Sequence, residues 1–304
     1  MAETAPLVWI ITLNWNRRDD TLACLESLRS MGYSDSRIVV VDNGSSDGSP
    51  ESIVAAFPDV QVISSAQNIG FAGGVNLGVR EALSAGAEYV LILNNDTIVD
   101  RRLLSELVAE CERSPKIGIA GPKIYRHDQP DVVWFAGGDR DRWTWALTRL
   151  PRGRDDERIR APRTVNFLCG CCMLVRRDVF DRIGLFDPGY FMYYEDSEFC
   201  VRAVEAGFTL RYVPSARMWH KVAASVSGEG RPLRAYYHRR SMLRFLRRNT
   251  SGVQRLILLT LRSSGILAEI LVEWCRGRRD AARLLRRGLR EGLAARKYGD
   301  GIRN

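Results

Sequence analysis

Nine residues constrain this chain more than any others: Tyr89-Val90-Leu91-Ile92-Leu93-Asn94-Asn95-Asp96-Thr97. A continuous run of β-branched and leucine residues reads as a strand buried on both faces, as in a parallel sheet covered by helices. The run stops abruptly at two amides and a carboxylate. Open α/β sheets bind their ligands at the carboxyl ends of strands, so Asp96 sits where a metal-bound phosphate would. The same polar residues also fit a simple turn leading to a helix N-cap, and the rest of the chain has to decide.

Two earlier strands repeat the pattern. Val8 to Leu13 ends in Asn14-Trp15-Asn16, and Arg37 to Val41 ends in Asp42-Asn43-Gly44-Ser45-Ser46-Asp47-Gly48-Ser49. Between them Thr21 to Met31 carries Leu22, Leu25 and Leu28 at helical spacing, and a short helix through Val54 and Phe57 follows. A third strand, Val60 to Ser64, precedes Asn68-Ile69-Gly70-Phe71-Ala72-Gly73-Gly74-Val75-Asn76-Leu77-Gly78, which enters a helix through Leu83. This alternation predicts a mostly parallel sheet with helices on both faces. The glycines match neither Gly-x-x-x-x-Gly-Lys-Ser/Thr nor Gly-x-Gly-x-x-Gly, which argues against a P-loop ATPase or a dehydrogenase. Small residues there let a helix approach a nucleotide closely, or simply pack on the sheet.

The second half is less regular. Leu103 to Cys111 reads as a helix, and Ile117 to Pro122 and Val132 to Phe135 as strands. Gly137 to Pro162 is strongly charged and reads as a mobile loop. Val165 to Val175 reads as one apolar strand and Asp178 to Ile183 as a short helix. Next comes the aromatic stretch from Phe186 to Tyr194, running into a helix that pairs Glu198 with Arg202 at i,i+4. Phe208 to Val213 is the last strand of the body, followed by Trp219-His220-Lys221. Seven cysteines are scattered except for Cys169-Gly170-Cys171-Cys172. Without a second pair, and with three histidines in all, they read as reduced, buried small residues and not as a zinc site.

Charge divides the chain. Residues 231–304 hold 19 Lys and Arg against 5 Asp and Glu, whereas residues 1–230 hold 26 against 31. We therefore expect a body over 1–228 and a basic helical region over 229–304. Gln254 to Trp274 is apolar but interrupted by Arg262, Glu269 and Glu273, whereas a spanning helix needs about 20 mostly apolar residues. It reads as an amphipathic helix lying on an anionic membrane surface, or as one packed on the body with its basic face solvated. The body has no basic face interleaved with aromatics, so nucleic acid is not an expected partner. The first residues lack a basic region followed by an apolar core, so the expected location is cytoplasmic.

A carboxylate loop at the end of each of two parallel strands is a poor way to stabilise a fold, because neighbouring negative charges repel. They suit a divalent cation, Mg2+ or Mn2+, held together with a diphosphate. Asp96 is then the direct ligand, and Asp42 accepts hydrogen bonds from ribose hydroxyls or the base. Glu195-Asp196, flanked by Tyr190, Phe191, Tyr193 and Tyr194, fits the rim of a sugar pocket, with general base as its role; the alternative is favourable charge at a helix N-terminus. His220 reads either as a metal ligand or as a structural histidine.

With these residues in view, Leu7 to Ser227 resembles the inverting family 2 glycosyltransferases of the GT-A fold, in their rhamnosyltransferase-like branch. Five segments carry the likeness in the family's order: Leu13 to Asn16, Val40 to Ser49, Asn68 to Gly78, Leu93 to Asp96, and Tyr194 to Arg202. The resemblance implies a GT-A sheet in which Thr12, Asn14 and Asp42 line the nucleoside pocket. Asn68, Gly70, Asn94 and Asn95 join them on the donor side. Asp96 matches the last acid of the family's Asp-x-Asp motif and, with His220, would bind the divalent metal. Asp196 matches the acid that deprotonates the acceptor hydroxyl, with Tyr194, Glu195 and Trp219 on the acceptor side. Asn94 departs from the pattern, standing where the family has the motif's first acid.

The implied reaction moves rhamnose or another hexose, with inversion, from a nucleoside-diphosphate sugar (dTDP-rhamnose or a UDP-sugar). The implied acceptor is a polyprenyl-diphosphate-linked glycan or a polysaccharide of the cell envelope, at the cytoplasmic face of the membrane. Two rivals are a nucleotidyltransferase and a non-catalytic sugar-nucleotide-binding scaffold. The first needs a basic, glycine-rich loop after its first strand, and Leu13 to Asp20 contains no glycine. The second has no use for Asp196.

Overall fold

The structure, a computed structural model, describes residues 5–149, 153–154, 157–221 and 230–294. In chain order the first elements are β1 Val8–Asn14, α1 Arg18–Arg29, β2 Ser36–Asp42, α2 Ser49–Ala56, β3 Gln61–Ser64, α3 Gly70–Ser84 and β4 Tyr89–Asn94. Then come β5 Thr97–Val99, α4 Leu103–Glu112, β6 Ile117–Arg126, β7 Val132–Phe135, β8 Gly138–Arg140, β9 Leu147–Arg149 and β10 Gly153–Arg154. The remainder is β11 Arg163–Val165, β12 Cys172–Arg176, α5 Arg177–Ile183, α6 Glu195–Glu205, β13 Thr209–His220, α7 Arg231–Asn249, α8 Gly252–Cys275 and α9 Arg279–Ala294.

The main sheet runs β10-β7-β6-β12-β4-β1-β2-β3. Its β4-β1-β2-β3 half is wholly parallel, as alternating strands and helices require. Antiparallel β12 joins that half to β6, and β13 lies parallel to β6 while pairing antiparallel with β5 and β11. Strand β4, flanked by β1 and β12, is buried along its whole apolar run. Order reverses beside β1, and a crevice opens at such a switch point.

Helix α3 settles the use of its glycines. A Cβ on Gly74 or Gly78 would stand 2.4 Å from Leu13 Cδ1 or 2.5 Å from Ile11 Cγ2, so these two serve close packing on β1. Three segments differ from the sequence expectation. The apolar run from Val165 to Val175 splits into β11 and β12, because the Cys172 N–H turns back to the Cys169 carbonyl at 3.3 Å. The last strand continues to His220, so Trp219 and His220 are paired residues of β13. The charged segment after Gly137 contains a hairpin of β8 and β9, its turn held by Asp141 Oδ1, which accepts the N–H groups of Trp143 and Thr144. Residues 150–152 and 155–156 of the expected loop lie outside the described residues; in the described part the Arg140 guanidinium lies against the rings of Phe167, Tyr194 and Phe245.

The expected boundary at residue 228 lies outside the described residues. Beyond it, α7 is joined to the body by buried ion pairs. Asp187 Oδ2 accepts from Arg244 at 2.9 Å, and Glu198 Oε1 accepts from Arg202 at 2.7 Å and Arg248 at 2.9 Å. A second apolar core unites Tyr190 of the body with Met242, Leu243, Phe245 and Leu246 of α7 and with Leu258 and Ile266 of α8. Among the described residues no helix is long and apolar enough to cross a membrane.

Candidate active site

Register builds the first half of the site. Asn14 is level with Asp42, and Leu13 with Asn94, so three strands end in one row. Asn14 Nδ2 donates to Asp42 Oδ1 at 2.8 Å and to Ser45 Oγ at 3.0 Å, while the Ser45 N–H donates to Asp42 Oδ2 at 3.0 Å. Asn14 Oδ1 accepts from Thr21 Oγ1 at 2.7 Å and from Asn95 Nδ2 at 3.2 Å. Thr12 and Asn14 are wholly buried and Asp42 almost so, which makes them the frame beneath the crevice. The Thr12 hydroxyl has no partner there. Asn95 likewise turns inward, whereas Asn94 is half-buried at the strand tip, with its N–H on the Cys171 carbonyl.

Asp96 and His220 meet across the β5–β13 pairing, with Asp96 Oδ1 3.0 Å from His220 Nε2 and both side chains 10% exposed. The Lys221 N–H donates to the Asp96 carbonyl, fixing the chain on both sides of the pair. His220 Nδ1 is buried without a partner, and the Trp134 ring packs edge-on at 5.0 Å. Alternation along β13 sends Trp219 to the opposite face, where it stacks on Tyr125 and donates to the Pro130 carbonyl. Trp219 is thus not brought into this group, and Trp134 is. Among the described residues no cluster of three or more His, Cys, Asp and Glu forms a cation cage. One carboxylate and one imidazole do fit a cation whose remaining positions are filled by phosphate oxygens and water.

Asn68 and Gly70 form a second wall. Asn43 Nδ2 donates to Asn68 Oδ1 at 3.0 Å and the Gly70 carbonyl at 3.1 Å, and Asn43 Oδ1 accepts the Ile69 N–H. Gly70 has φ +81, and a Cβ there would lie 2.5 Å from the Phe191 carbonyl oxygen. That close approach lets the Phe71 N–H reach the same oxygen at 2.7 Å. The loop carrying Phe191 then passes through Tyr193 and Tyr194, both at φ 68, before α6 begins. Asp196 emerges in the first turn. Its Oδ2 accepts the Gly170 N–H at 3.1 Å and its Oδ1 the Ser197 N–H at 2.6 Å, leaving the carboxylate oriented and partly exposed. A Cβ on Gly170 would stand 3.2 Å from Asp196 Cβ and 3.7 Å from the Phe71 ring. The segment 169–172 therefore ties Asp196 to the tip of β4.

Glu195 is buried, and its Oε2 has no partner. Burial, reinforced by the neighbouring Asp196, pushes its carboxyl well above the usual range. Tyr194 is built into the junction with α7, its ring against His238 at 5.4 Å and Phe245 at 5.3 Å. Sequence reading missed Asn43, Thr21, Trp134 and Arg140, which donates to Ser197 Oγ. Asn43 alone carried a signal, standing between the strand-terminal Asp42 and the turn glycine.

This geometry invites comparison with known proteins. The sequence model of the family described as Glycosyl transferase family 2 matches residues 9–184. The chain belongs to glycosyltransferase family 2. Among the family's characterised members it is 29% identical over 275 residues to the N-acetylglucosaminyl-diphospho-decaprenol L-rhamnosyltransferase of Mycobacterium tuberculosis, covering 82% of this chain and 87% of that one. With the dTDP-rhamnosyl transferase RfbF of Shigella flexneri it shares 24% over 224 residues, 70% of this chain and 71% of the other. Solved structures share the fold. The mannosyltransferase PcManGT of Pyrobaculum calidifontis, in complex with GDP-Man and Mn2+, superposes with TM-score 0.58 at 16% identity over 96% of this chain and 76% of that one. A GalNAc transferase with UDP, GalNAc and Mn2+ gives 0.57 at 20% identity, over 70% of this chain and 43% of the other. The glycosyltransferase described here thus has the GT-A architecture.

Proposed function

We propose that this glycosyltransferase moves rhamnose, or a related hexose, with inversion from a nucleoside-diphosphate donor to a hydroxyl of a polyprenyl-diphosphate-linked acceptor. Likeness to the mycobacterial and Shigella enzymes supports the sugar and acceptor classes. The observation that carries the reading is Asp196, an oriented, partly exposed carboxylate tied through Gly170 and Cys171 to the strand tip bearing Asn94 and Asp96.

In this reading Asp42, on its Asn14 support, accepts hydrogen bonds from the nucleoside, and Asn68 and Gly70 shape the wall beside it. Asp96 and His220 would hold the divalent cation, Mg2+ or Mn2+, which would supply positive charge to the diphosphate. The acceptor hydroxyl attacks the anomeric carbon, the bond from that carbon to the diphosphate oxygen breaks, and Asp196 takes the hydroxyl proton. Attack opposite the leaving group inverts configuration. Glu195 is buried whereas Asp196 is partly exposed, which leaves Asp196 as the accessible carboxylate of the pair. With Asn94 in place of an acid, the site would offer less negative charge to the cation.

The test measures transfer from dTDP-rhamnose to a GlcNAc-diphospho-polyprenol, and donor affinity by calorimetry. Asp196→Asn should lower kcat by about 10²–10⁴-fold with donor affinity unchanged, whereas Asp96→Asn should weaken binding only when Mg2+ or Mn2+ is present. Undiminished turnover in Asp196→Asn would remove the base from the mechanism.

A further inference from the structure

Helix α8 is turned inside out for a helix bathed in water. Val253, Leu256, Leu261, Leu267, Leu271 and Trp274 are between 55 and 72% exposed. At 3.6 residues per turn they fall, with Ile257, Val272 and the small residues Thr260, Ser264 and Ala268, in an arc of about 160°. No charged residue lies in that arc. The helix's own charges, Arg255, Arg262, Glu269 and Glu273, all project from the other side, where Arg239 of α7 grips Glu269 at 3.0 and 2.6 Å. An apolar strip about 32 Å long thus faces outward from one end of the helix to the other.

Two further features bear on what covers it. Tryptophans mark both ends: Trp274 in the last turn, and Trp143, 78% exposed at the tip of the β8–β9 hairpin. The hairpin is pinned to the first turn of α8 by Gln254 Nε2, which donates to the carbonyls of Arg142 and Trp143 at 2.8 and 2.9 Å. Neighbouring α9 buries Ala282, Leu285, Gly288 and Gly292 and exposes Arg279, Arg283, Arg286, Arg287 and Arg290, which share one face. An uncharged strip with tryptophan at each end, beside a row of arginines, is complementary to the acyl boundary and headgroups of an anionic bilayer.

We propose that α8 lies in the plane of an anionic phospholipid membrane, with its outward face sunk to the acyl boundary and the α9 arginines on the headgroups. The docked helix is linked to the site through α7, which, gripped through Glu269, stacks Tyr237 on Phe191 at 4.6 Å and donates from Ser241 Oγ to the Met192 carbonyl at 2.9 Å. Membrane docking therefore holds the loop before Asp196 at a fixed height above the lipid. This inference does not depend on the sugar or acceptor proposed above.

The experiment is flotation of the full chain with vesicles of phosphatidylcholine alone or mixed with phosphatidylglycerol, at low and high salt. The chain should float with the anionic vesicles and be released in part by salt. Leu261→Glu with Leu271→Glu should lower binding at least about tenfold at an unchanged melting temperature, since both side chains are already solvent-exposed. Arg283→Gln with Arg286→Gln and Arg290→Gln should abolish the preference for anionic lipid. Equal flotation of the glutamate variant and the parent, or no binding to either vesicle, would overturn the proposal. So would a dimer seen by light scattering that the glutamate pair dissolves, because a second copy would then cover this face. Neither readout needs activity, so a wrong donor or acceptor assignment cannot be mistaken for failure of this one.

Discussion

Replacing Asp187 by alanine tests whether α7 belongs to the catalytic unit. Asp187 Oδ2 accepts from Arg244 Nη2 at 2.9 Å and Nε at 3.3 Å and from Arg248 Nη1 at 3.4 Å, while Oδ1 accepts the Gly189 N–H at 2.8 Å. The carboxylate is buried, and the Arg244 side chain is 14% exposed. Its loss leaves Arg244 and one backbone N–H without these acceptors, while Arg248 keeps Glu198 at 2.9 Å. Truncating one partner of a buried pair costs about 3–5 kcal/mol, mostly for the stranded charge. Against a typical total of about 5–15 kcal/mol that is a large loss. Urea denaturation followed by circular dichroism measures it, and hydrogen exchange shows whether α7 opens first. Asp187→Asn, which can still accept the Gly189 N–H, should fall between variant and parent. The exposed pair of Arg29 and Asp59, 2.8 Å apart, is the control, and Asp59→Ala should change little. If Asp187→Ala is no more destabilising than Asp59→Ala, the buried network does not hold the tail helices to the body.

Two further outcomes follow from the same junction. Burial, with Arg239 beside it, pushes His238 down from 6.5 to about 4, so below pH 6.5 the unfolded chain binds a proton that the folded chain refuses. Stability should therefore fall as pH drops from about 6.5 towards 4, by at most about 3 kcal/mol, and His238→Gln should flatten that limb in thermal melts across pH; an unchanged limb would assign it elsewhere. Gly70→Ala meets both a positive φ and the Phe191 carbonyl, so about 2–4 kcal/mol of destabilisation is expected, with weaker donor binding by calorimetry. A variant as stable as the parent would show that the wall between Asn68 and Phe191 is free to move.

Much of the catalytic half was legible because its signals are local. Apolar runs ending in Asn14, Asp42 and Asn94 identify parallel strands and their ligand-facing ends, and the β1–β2–β4 register puts all three in one row. Asp96 and His220 were nameable as residue types, and β13, extended beyond its apolar stretch, brings them within 3.0 Å. Side-chain direction was not legible. The resemblance paired His220 with Asp96, but that Trp219 faces away from them was not visible until strand pairing fixed the alternation, and the ring beside His220 came from Trp134 on another strand. The hairpin after Gly137 failed for a related reason. A charge run looks solvated in one dimension, yet Arg140 buries its stem and guanidinium among three rings from distant segments.

The position of Asp196 shows how such distant contacts do the work. Tyr193 and Tyr194 both hold φ 68, a conformation that costs bulky residues about 1–3 kcal/mol each and persists only where the surroundings impose it. Here the imposition is shared. Asn76 of α3 brackets Phe186 by accepting its N–H at 3.1 Å and donating to its carbonyl at 2.8 Å, and the Phe71 N–H holds the Phe191 carbonyl. From the other side Arg240 donates to the Gly189 carbonyl, Ser241 to that of Met192, and the His238 ring sits against both tyrosines. Each of these bonds is worth about 1 kcal/mol by itself, so no single one can hold the strained pair, and α3 and α7 must act together. The carboxylate at the end of that loop is therefore set by two elements that flank it from opposite ends of the chain. A change on either side should alter its aim before it alters the fold.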